Sequence, residues 1–147
     1  MSVADRFYAG AYWPARAESL EECADRLTQF LAALGAVHPL LGVWFEKAKT
    51  RSAALKRHIQ PAPGPLGQLL EKGRARNDAG RVMDNLGCSI GIWNGQEISV
   101  GLTVRCGITS QVVTNAVVLD LPAADGDGLG IYSQLAARQV MIALAEC

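Results

Sequence analysis

Three aromatic side chains and one arginine lie close together near the start of the chain: Tyr8, Tyr12, Trp13 and Arg16. Tyrosine, tryptophan and arginine combine a large apolar surface with a polar group, so they suit a ligand pocket, a protein core or a contact with another protein. These residue types and their spacing leave all three alternatives open, and the elements that position them must decide.

Signatures of metal or nucleophilic chemistry are missing from the sequence. The two histidines, His38 and His58, form no HxxxH or HExxH pair. Asp125 and Asp127 resemble the start of a calcium loop, but Ala136 stands where such a loop needs a glutamate. No GxSxG elbow and no phosphate-binding glycine loop is present. We therefore expect no catalytic residues, no metal and no cofactor.

The composition is that of a folded globular domain. The chain has 147 residues, of which 50% are hydrophobic and 19% are charged. We expect one domain over residues 1–147. The start, MSVADRF, lacks the segments of a secretory signal, and no apolar run approaches the roughly 20 residues that span a bilayer. A cytoplasmic protein is expected, with free thiols at its four cysteines, since no CxxC pair occurs.

Basic residues are concentrated in the middle of a chain whose net charge is zero. Residues 46–81 hold nine basic and three acidic side chains. Such a segment is either a solvated connection or a local contact for an anionic partner. Because no aromatic residues alternate with these charges and no nucleic-acid motif occurs, the solvated connection is favoured, with no direct binding of nucleic acid or membrane.

The first half of the chain predicts one strand and one well-defined helix. Residues 5–13 alternate with a period of two, with Tyr8 and Tyr12 facing away from Trp13. Ser19 and Glu22 form a capping box at the start of an amphipathic helix that Gly35 is expected to end. A short helix is predicted over residues 41–48, although a strand is possible, and residues 49–63 are expected to form a surface loop.

The second half predicts a short helix around residues 66–70, three strands within residues 86–121, and a helix over residues 129–145. Strands and helices are segregated along the chain rather than alternating. The predicted fold is therefore α+β: an antiparallel sheet of about four strands with two long helices packed on one face.

The connection after the first of these three strands bears on Trp93. A three-residue loop over residues 93–95, with Gly95 left-handed, pairs Ile90 with Ile98 and keeps one face apolar, whereas a two-residue turn mixes polar and apolar residues. The chosen register exposes Trp93 at a hairpin tip. The opposite face carries small residues from Gly87 to Arg105 that either a partner or another part of this chain would cover.

The segments YAGAYWPARAESLEECADRL, FLAAL and HPLLGVWFEKA resemble the immunity protein 52 family. The resemblance implies a small cytoplasmic α+β protein of bacteria, encoded beside a polymorphic or type VI secreted toxin, often a nuclease with a restriction-endonuclease-like fold. It further implies a non-enzymatic inhibitor, which occludes the toxin's active site or holds the toxin inactive.

Tight inhibition needs anchoring side chains rich in tyrosine, tryptophan and arginine. Tyr8, Tyr12 and Trp93 are the aromatic candidates, and Arg16 would pair with a carboxylate of a metal-dependent nuclease. Acidic candidates, which would imitate DNA phosphates or meet basic residues of the toxin, are Glu97, Asp125 and Asp127. Trp13 and Trp44 are expected in the core. The alternative function is a small ligand-binding domain or enzyme with a pocket near Tyr8, Tyr12 and Arg16.

Overall fold

The computed structural model describes residues 7–121 and 134–145. Its elements are β1 (Phe7–Trp13), α1 (Leu20–Val37), β2 (Trp44–Glu46), α2 (Arg51–Leu55), β3 (His58–Ile59), α3 (Pro63–Lys72), β4 (Cys88–Trp93), β5 (Gly101–Cys106), β6 (Asn115–Leu121) and α4 (Gln134–Ala145), with short 3-10 turns at Pro39–Leu41 and Asp84–Leu86.

The strands form a single antiparallel sheet in the order β1-β6-β5-β4-β2-β3. The predicted α+β class with an antiparallel sheet is confirmed, but the predicted strand number is wrong, because the described residues form six strands. The prediction of two long helices is also wrong: α1, α3 and α4 have 18, 10 and 12 described residues.

The two additional strands come from segments for which the sequence favoured a helix and a loop. Trp44–Glu46 is strand β2, the alternative that the sequence left open beside a short helix, and it pairs with β4 and β3. The predicted surface loop over residues 49–63 contains helix α2 and strand β3. Strands of two or three residues are too short to show a period of two in the sequence, so their pairing partners define them.

Helix α1 begins as the sequence predicts. The Glu22 amide donates to Ser19 Oγ at 3.1 Å, and the Ser19 amide donates to Glu22 Oε2 at 3.2 Å. The predicted end at Gly35 is wrong, since the helix continues to Val37. A Cβ added at Gly35 would lie 3.4 Å from the Cα of Gly42, so this glycine serves close packing of two backbones.

The capping box gives a stability prediction. Ser19→Ala removes the hydroxyl that accepts from Glu22, so we expect the free energy of unfolding to fall by about 1 kcal/mol. Urea denaturation of the variant measures this loss. Ser99→Ala is the matched control, because Ser99 is exposed in the connection between β4 and β5 and does not cap a helix. An unchanged midpoint for Ser19→Ala would contradict the capping assignment.

The core lies between one face of the sheet and helices α1, α3 and α4. Strand residues of this face alternate with exposed ones and include Ile90, Ile92, Leu102, Val104, Val117 and Leu119, each 7% exposed or less. The predicted core position of Trp44 is confirmed: it is 3% exposed, and its indole donates to the Leu41 carbonyl at 3.0 Å. Trp13 is partly buried and packs against the same core.

The predicted register of the β4–β5 hairpin is wrong. Ile90 pairs with Val104 rather than Ile98. Residues 94–100 form a long connection that the Asn94 side chain organises. Its Nδ2 donates to the Ile98 carbonyl at 2.9 Å, and its Oδ1 accepts from the Val100 backbone amide at 2.9 Å. Gly95 has the predicted positive φ of 73°, but the buried Asn94 side chain, rather than a tight turn, determines where pairing resumes.

Candidate functional site

The sheet face opposite the core contains the exposed aromatic residues predicted near the N-terminus. In the described part of the chain no long helix packs on this side, and α2 flanks it beside β2. We call this surface the open face. By strand register and alternation it comprises Tyr8, Gly10, Tyr12, Phe45, His58, Ser89, Gly91, Trp93, Gly101, Thr103, Arg105, Ala116, Val118 and Asp120.

One row of the open face crosses all six strands. The register places Tyr8 opposite Asp120, then Gly101, Trp93, Phe45 and His58 in succession. Aromatic side chains therefore stand on both sides of a glycine. Since glycine has no side chain, the backbone at this point is open to close approach.

Tyr8 and Tyr12 project from edge strand β1 and are 68% and 65% exposed. Their predicted orientation, away from Trp13, follows from the alternation of β1 and is confirmed by their exposure. A Cβ added at Gly10 would lie 3.2 Å from Cε2 of Tyr12, so the glycine leaves room for that ring above the strand. Two tyrosines four residues apart, exposed to this extent, are unusual for a surface that stays in water.

The predicted position of Trp93 at a hairpin tip is wrong, because Trp93 is the last residue of β4 and pairs with Gly101 and Phe45. It is partly buried. The ring centroids of Trp93 and Phe45 are 6.3 Å apart, and the Arg51 guanidinium lies 5.7 Å from the Trp93 ring. Contacts on two sides hold this indole on the open face, which reduces the entropy lost when a partner binds it.

The middle of the open face consists mainly of small residues, as the sequence predicts. Thr103 and Gly91 lie in one row with Val118 and Gly10, and Ser89 lies in the row of Tyr12. Among the described residues, the Lys47 side chain approaches this strip: its Nζ would lie 3.4 Å from a Cβ added at Gly91. Within the described ranges, Ser89 and Thr103 are exposed beside this lysine.

Charges on and beside the open face are mainly positive in the described residues. Lys47 and Arg105 are exposed, and Arg51 stacks on Trp93. Asp120 supplies the carboxylate of the central row, and its buried Oδ1 has no hydrogen-bond partner within the described ranges. Phe45, Arg51 and Asp120 were not among the predicted site residues; of the three, only Asp120 has a local signal, the strand alternation of VVLDL.

Arg16 does not join the tyrosines. Its guanidinium contacts Glu18 Oε1 at 2.9–3.0 Å and lies 5.2 Å from the Trp13 ring. Glu18, whose side chain is 3% exposed, also pairs with Arg26 at 2.7 Å. Arg16 and Trp13 line a cavity of about 20 Å³ on the core side. The expectation that Tyr8, Tyr12 and Arg16 line one pocket is therefore wrong, because the tyrosines lie on the open face and Arg16 lies on the core side of the sheet.

The acidic candidates are not assembled by the described structure. Glu97 is exposed in the connection between β4 and β5. Asp125 and Asp127 lie outside the described residues. Their roles in partner binding, and that of Arg16, stay predictions from the sequence.

Two searches of the described residues bear on other classes of function. No three His, Cys, Asp or Glu side chains of residues 7–121 and 134–145 are arranged to hold a metal ion. Within the same ranges, no helix has both the length and the apolar character needed to cross a bilayer.

The sequence model of the family described as immunity protein 52 matches residues 5–147, nearly the whole chain. A comparison with curated proteins finds no significant match.

Proposed function

Because the chain belongs to the immunity protein 52 family, we propose that it binds and neutralises a cognate toxin protein through its open face. Family membership indicates an immunity protein acting against a toxin, which is the function of an inhibitor rather than of an enzyme. The observation that carries the choice of surface is the exposure of Tyr8 and Tyr12 on a sheet face that no long helix covers within the described residues.

The residue types of the open face support protein binding. Tyrosine, tryptophan and arginine dominate binding energy at interfaces, and here Tyr8, Tyr12, Trp93 and Arg105 stand around a floor of small residues. Exposed rings beside these small residues can fill pockets of a partner protein, and the glycines allow the backbone of the partner to approach closely. Within residues 7–121 and 134–145, β1 is an edge strand, and its outer edge beside Tyr8 and Tyr12 extends the surface.

The finer proposal concerns the toxin. We propose a DNase effector of a bacterial type VI secretion system, neutralised in the cytoplasm, as the family resemblance implies. On and beside the described open face, three cations, Lys47, Arg51 and Arg105, accompany one carboxylate, Asp120. Cations fit the carboxylates of a metal-dependent nuclease site better than they fit a basic DNA-binding groove. Occlusion of the active site is therefore favoured over imitation of DNA by acidic residues.

Co-expression with the toxin encoded by the adjacent gene tests this function. Cells producing the toxin alone should lose viability with degraded chromosomal DNA, whereas cells that also produce this chain should survive with intact DNA. The two proteins should co-purify. Survival without co-purification, or death of the co-expressing cells, would contradict inhibition by binding. Death of the toxin-producing cells with intact DNA would contradict the nuclease proposal alone.

A further inference from the structure

Three buried cysteines from different elements meet on the core side of the sheet. Cys23 comes from α1, Cys88 from β4 and Cys106 from β5, and each is 6% exposed or less. Cys23 lines one cavity together with Cys88 and a second one together with Cys106, so its side chain adjoins both. This cluster lies on the face opposite Tyr8 and Tyr12 and has no part in the proposed toxin contact.

Cys88 and Cys106 stand directly opposite each other in the antiparallel β4–β5 pair. Opposite residues of antiparallel strands have Cα atoms about 4.5–5.5 Å apart, within the range of about 4.4–6.8 Å that disulfides span. Gly87, with a φ of 59°, precedes Cys88, and an added Cβ would overlap the Cys106 carbonyl oxygen. The glycine therefore permits the close approach of the two chains at this pair.

A cavity of about 710 Å³ reaches the cluster from the end of the sheet. Cys23 and Cys88 line it, whereas Cys106 does not. Polar groups among the other lining residues include Arg74, Asp84, Asn85 and Thr109. Hydrogen peroxide is small enough to enter a cavity of this volume. Both paired cysteines are 6% exposed, and Cys88 is the one of the two that borders the cavity.

The protonation of the pair is asymmetric. Hydrogen bonding from Cys106 and the positive charge of Arg74 lower the pKa of Cys88 against the opposing effects of burial and Glu71. Hydrogen bonds with Cys23 and Cys88, together with burial, raise the pKa of Cys106. Deprotonation is thus easier at Cys88 than at Cys106, and the thiolate is the form of cysteine that attacks peroxide.

Most of the remaining charged groups around the cavity have partners of their own. Glu71 pairs with Arg74 at 2.9 Å. From α1, Glu18 pairs with Arg16 and Arg26, and Glu22 accepts from the Ser19 amide. Asp84 is the other acidic residue of the lining. Arg74 is therefore the cation of the cavity lining that favours the Cys88 thiolate.

We propose that Cys88 is a peroxide-reactive thiol that Cys106 resolves into a cross-strand disulfide. The Cys88 thiolate attacks one oxygen of hydrogen peroxide, the O–O bond breaks, and hydroxide leaves, giving a sulfenic acid. The Cys106 sulfur then attacks the Cys88 sulfur and displaces the hydroxyl group, which leaves as water with the Cys106 proton. The two thiols are oxidised, and the peroxide is reduced to water and hydroxide.

Peptide mapping of the native protein after peroxide treatment and alkylation tests the proposal. The linked peptides of Cys88 and Cys106 should appear, with Cys23 alkylated and Cys147 quantified separately. The Cys106→Ser variant should accumulate a Cys88 sulfenic acid that dimedone traps. Cys88→Ser should slow thiol loss at Cys106 by about tenfold or more, because the thiolate is the nucleophile. Cys23→Ser is the matched control and should form the same disulfide.

Peptide mapping of the wild-type protein tests the proposal even if a serine variant unfolds. Alkylation of Cys88 and Cys106 as free thiols after peroxide treatment would overturn the proposal, as would a disulfide that contains Cys23. A pH profile adds a readout that a purely structural thiol would not give. Oxidation of Cys88 should reach half its maximal rate below the ordinary cysteine pKa of about 8.5. A midpoint above that value would also overturn it.

Discussion

Replacing Tyr8 and Tyr12 together with alanine is expected to weaken binding of the cognate toxin by about a thousandfold. Each ring is an exposed aromatic anchor worth about 2 kcal/mol at an interface centre. The two residues are four positions apart on β1, about 13 Å at the rise of a strand. Substitutions whose positions are more than about 10 Å apart usually act independently, so the two effects should add to about 4 kcal/mol, which is about a thousandfold in Kd.

Titration calorimetry with purified toxin measures this effect, and circular dichroism checks the fold. Both tyrosines are mostly in water, so the free energy of unfolding should change by no more than about 0.5 kcal/mol. Met141→Ala is the matched control, since Met141 is 56% exposed on α4, on the helical side of the molecule. If the double variant binds as tightly as wild type, or Met141→Ala weakens binding equally, the open face is not the toxin contact.

Asn94→Ala should reduce the free energy of unfolding by about 3 kcal/mol. Asn94 is 1% exposed, and its side-chain Nδ2 donates to the backbone carbonyls of Leu40 at 3.2 Å and Ile98 at 2.9 Å. Its oxygen accepts from Val100 at 2.9 Å. Alanine leaves these buried backbone groups unpaired, and each such group costs about 1–3 kcal/mol.

Urea unfolding monitored by tryptophan fluorescence measures the loss as a lower midpoint with an unchanged slope. Gln96→Ala is the matched control, because Gln96 is exposed in the same connection and should have little effect. Equal stability of the two variants would show that Asn94 does not organise this connection. Since Asn94 follows Trp93 directly, its loss is also expected to release the indole from the open face.

The prediction of the N-terminal segment from sequence succeeded where the structure is local. The capping box depends on two residues of one turn, and the alternation of β1 depends on a single strand. The orientation of Tyr8 and Tyr12 could therefore be read before any pairing was known. Strand β2 could not be distinguished from a short helix in the same way, because a three-residue segment acquires its extended form from β3 and β4 on either side.

The site was only partly predictable for a related reason. Asn94-Gly95 reads as a tight turn, and the buried hydrogen bonds that lengthen the connection involve Leu40, a residue 54 positions away. Arg16 reads as a free cation beside the tyrosines, yet Pro14 ends the ladder and Arg16 folds back onto Glu18. Long-range partners, which a residue pattern does not contain, determined both outcomes.

The open face and the thiol cluster divide the sheet between two kinds of chemistry. On one side, aromatic residues and cations face outward, and glycines leave part of the strand backbone without a covering side chain. On the other side, Cys88 and Cys106 pair within the core at the far end of the same strands. Oxidation of the pair would join β4 to β5 without altering a residue of the open face, so toxin binding and thiol reactivity can be tested separately.

Hydroxyl-radical footprinting of the chain, free and in complex with its toxin, tests the central claim most directly. Side-chain oxidation reports the exposure of each residue without a substitution. We predict that the toxin protects Tyr8, Tyr12 and Trp93, while Met141 and Val112, which is 90% exposed, are modified at the same rate in both samples. Protection of Met141 with continued oxidation of Tyr8 and Tyr12 would contradict binding through the open face.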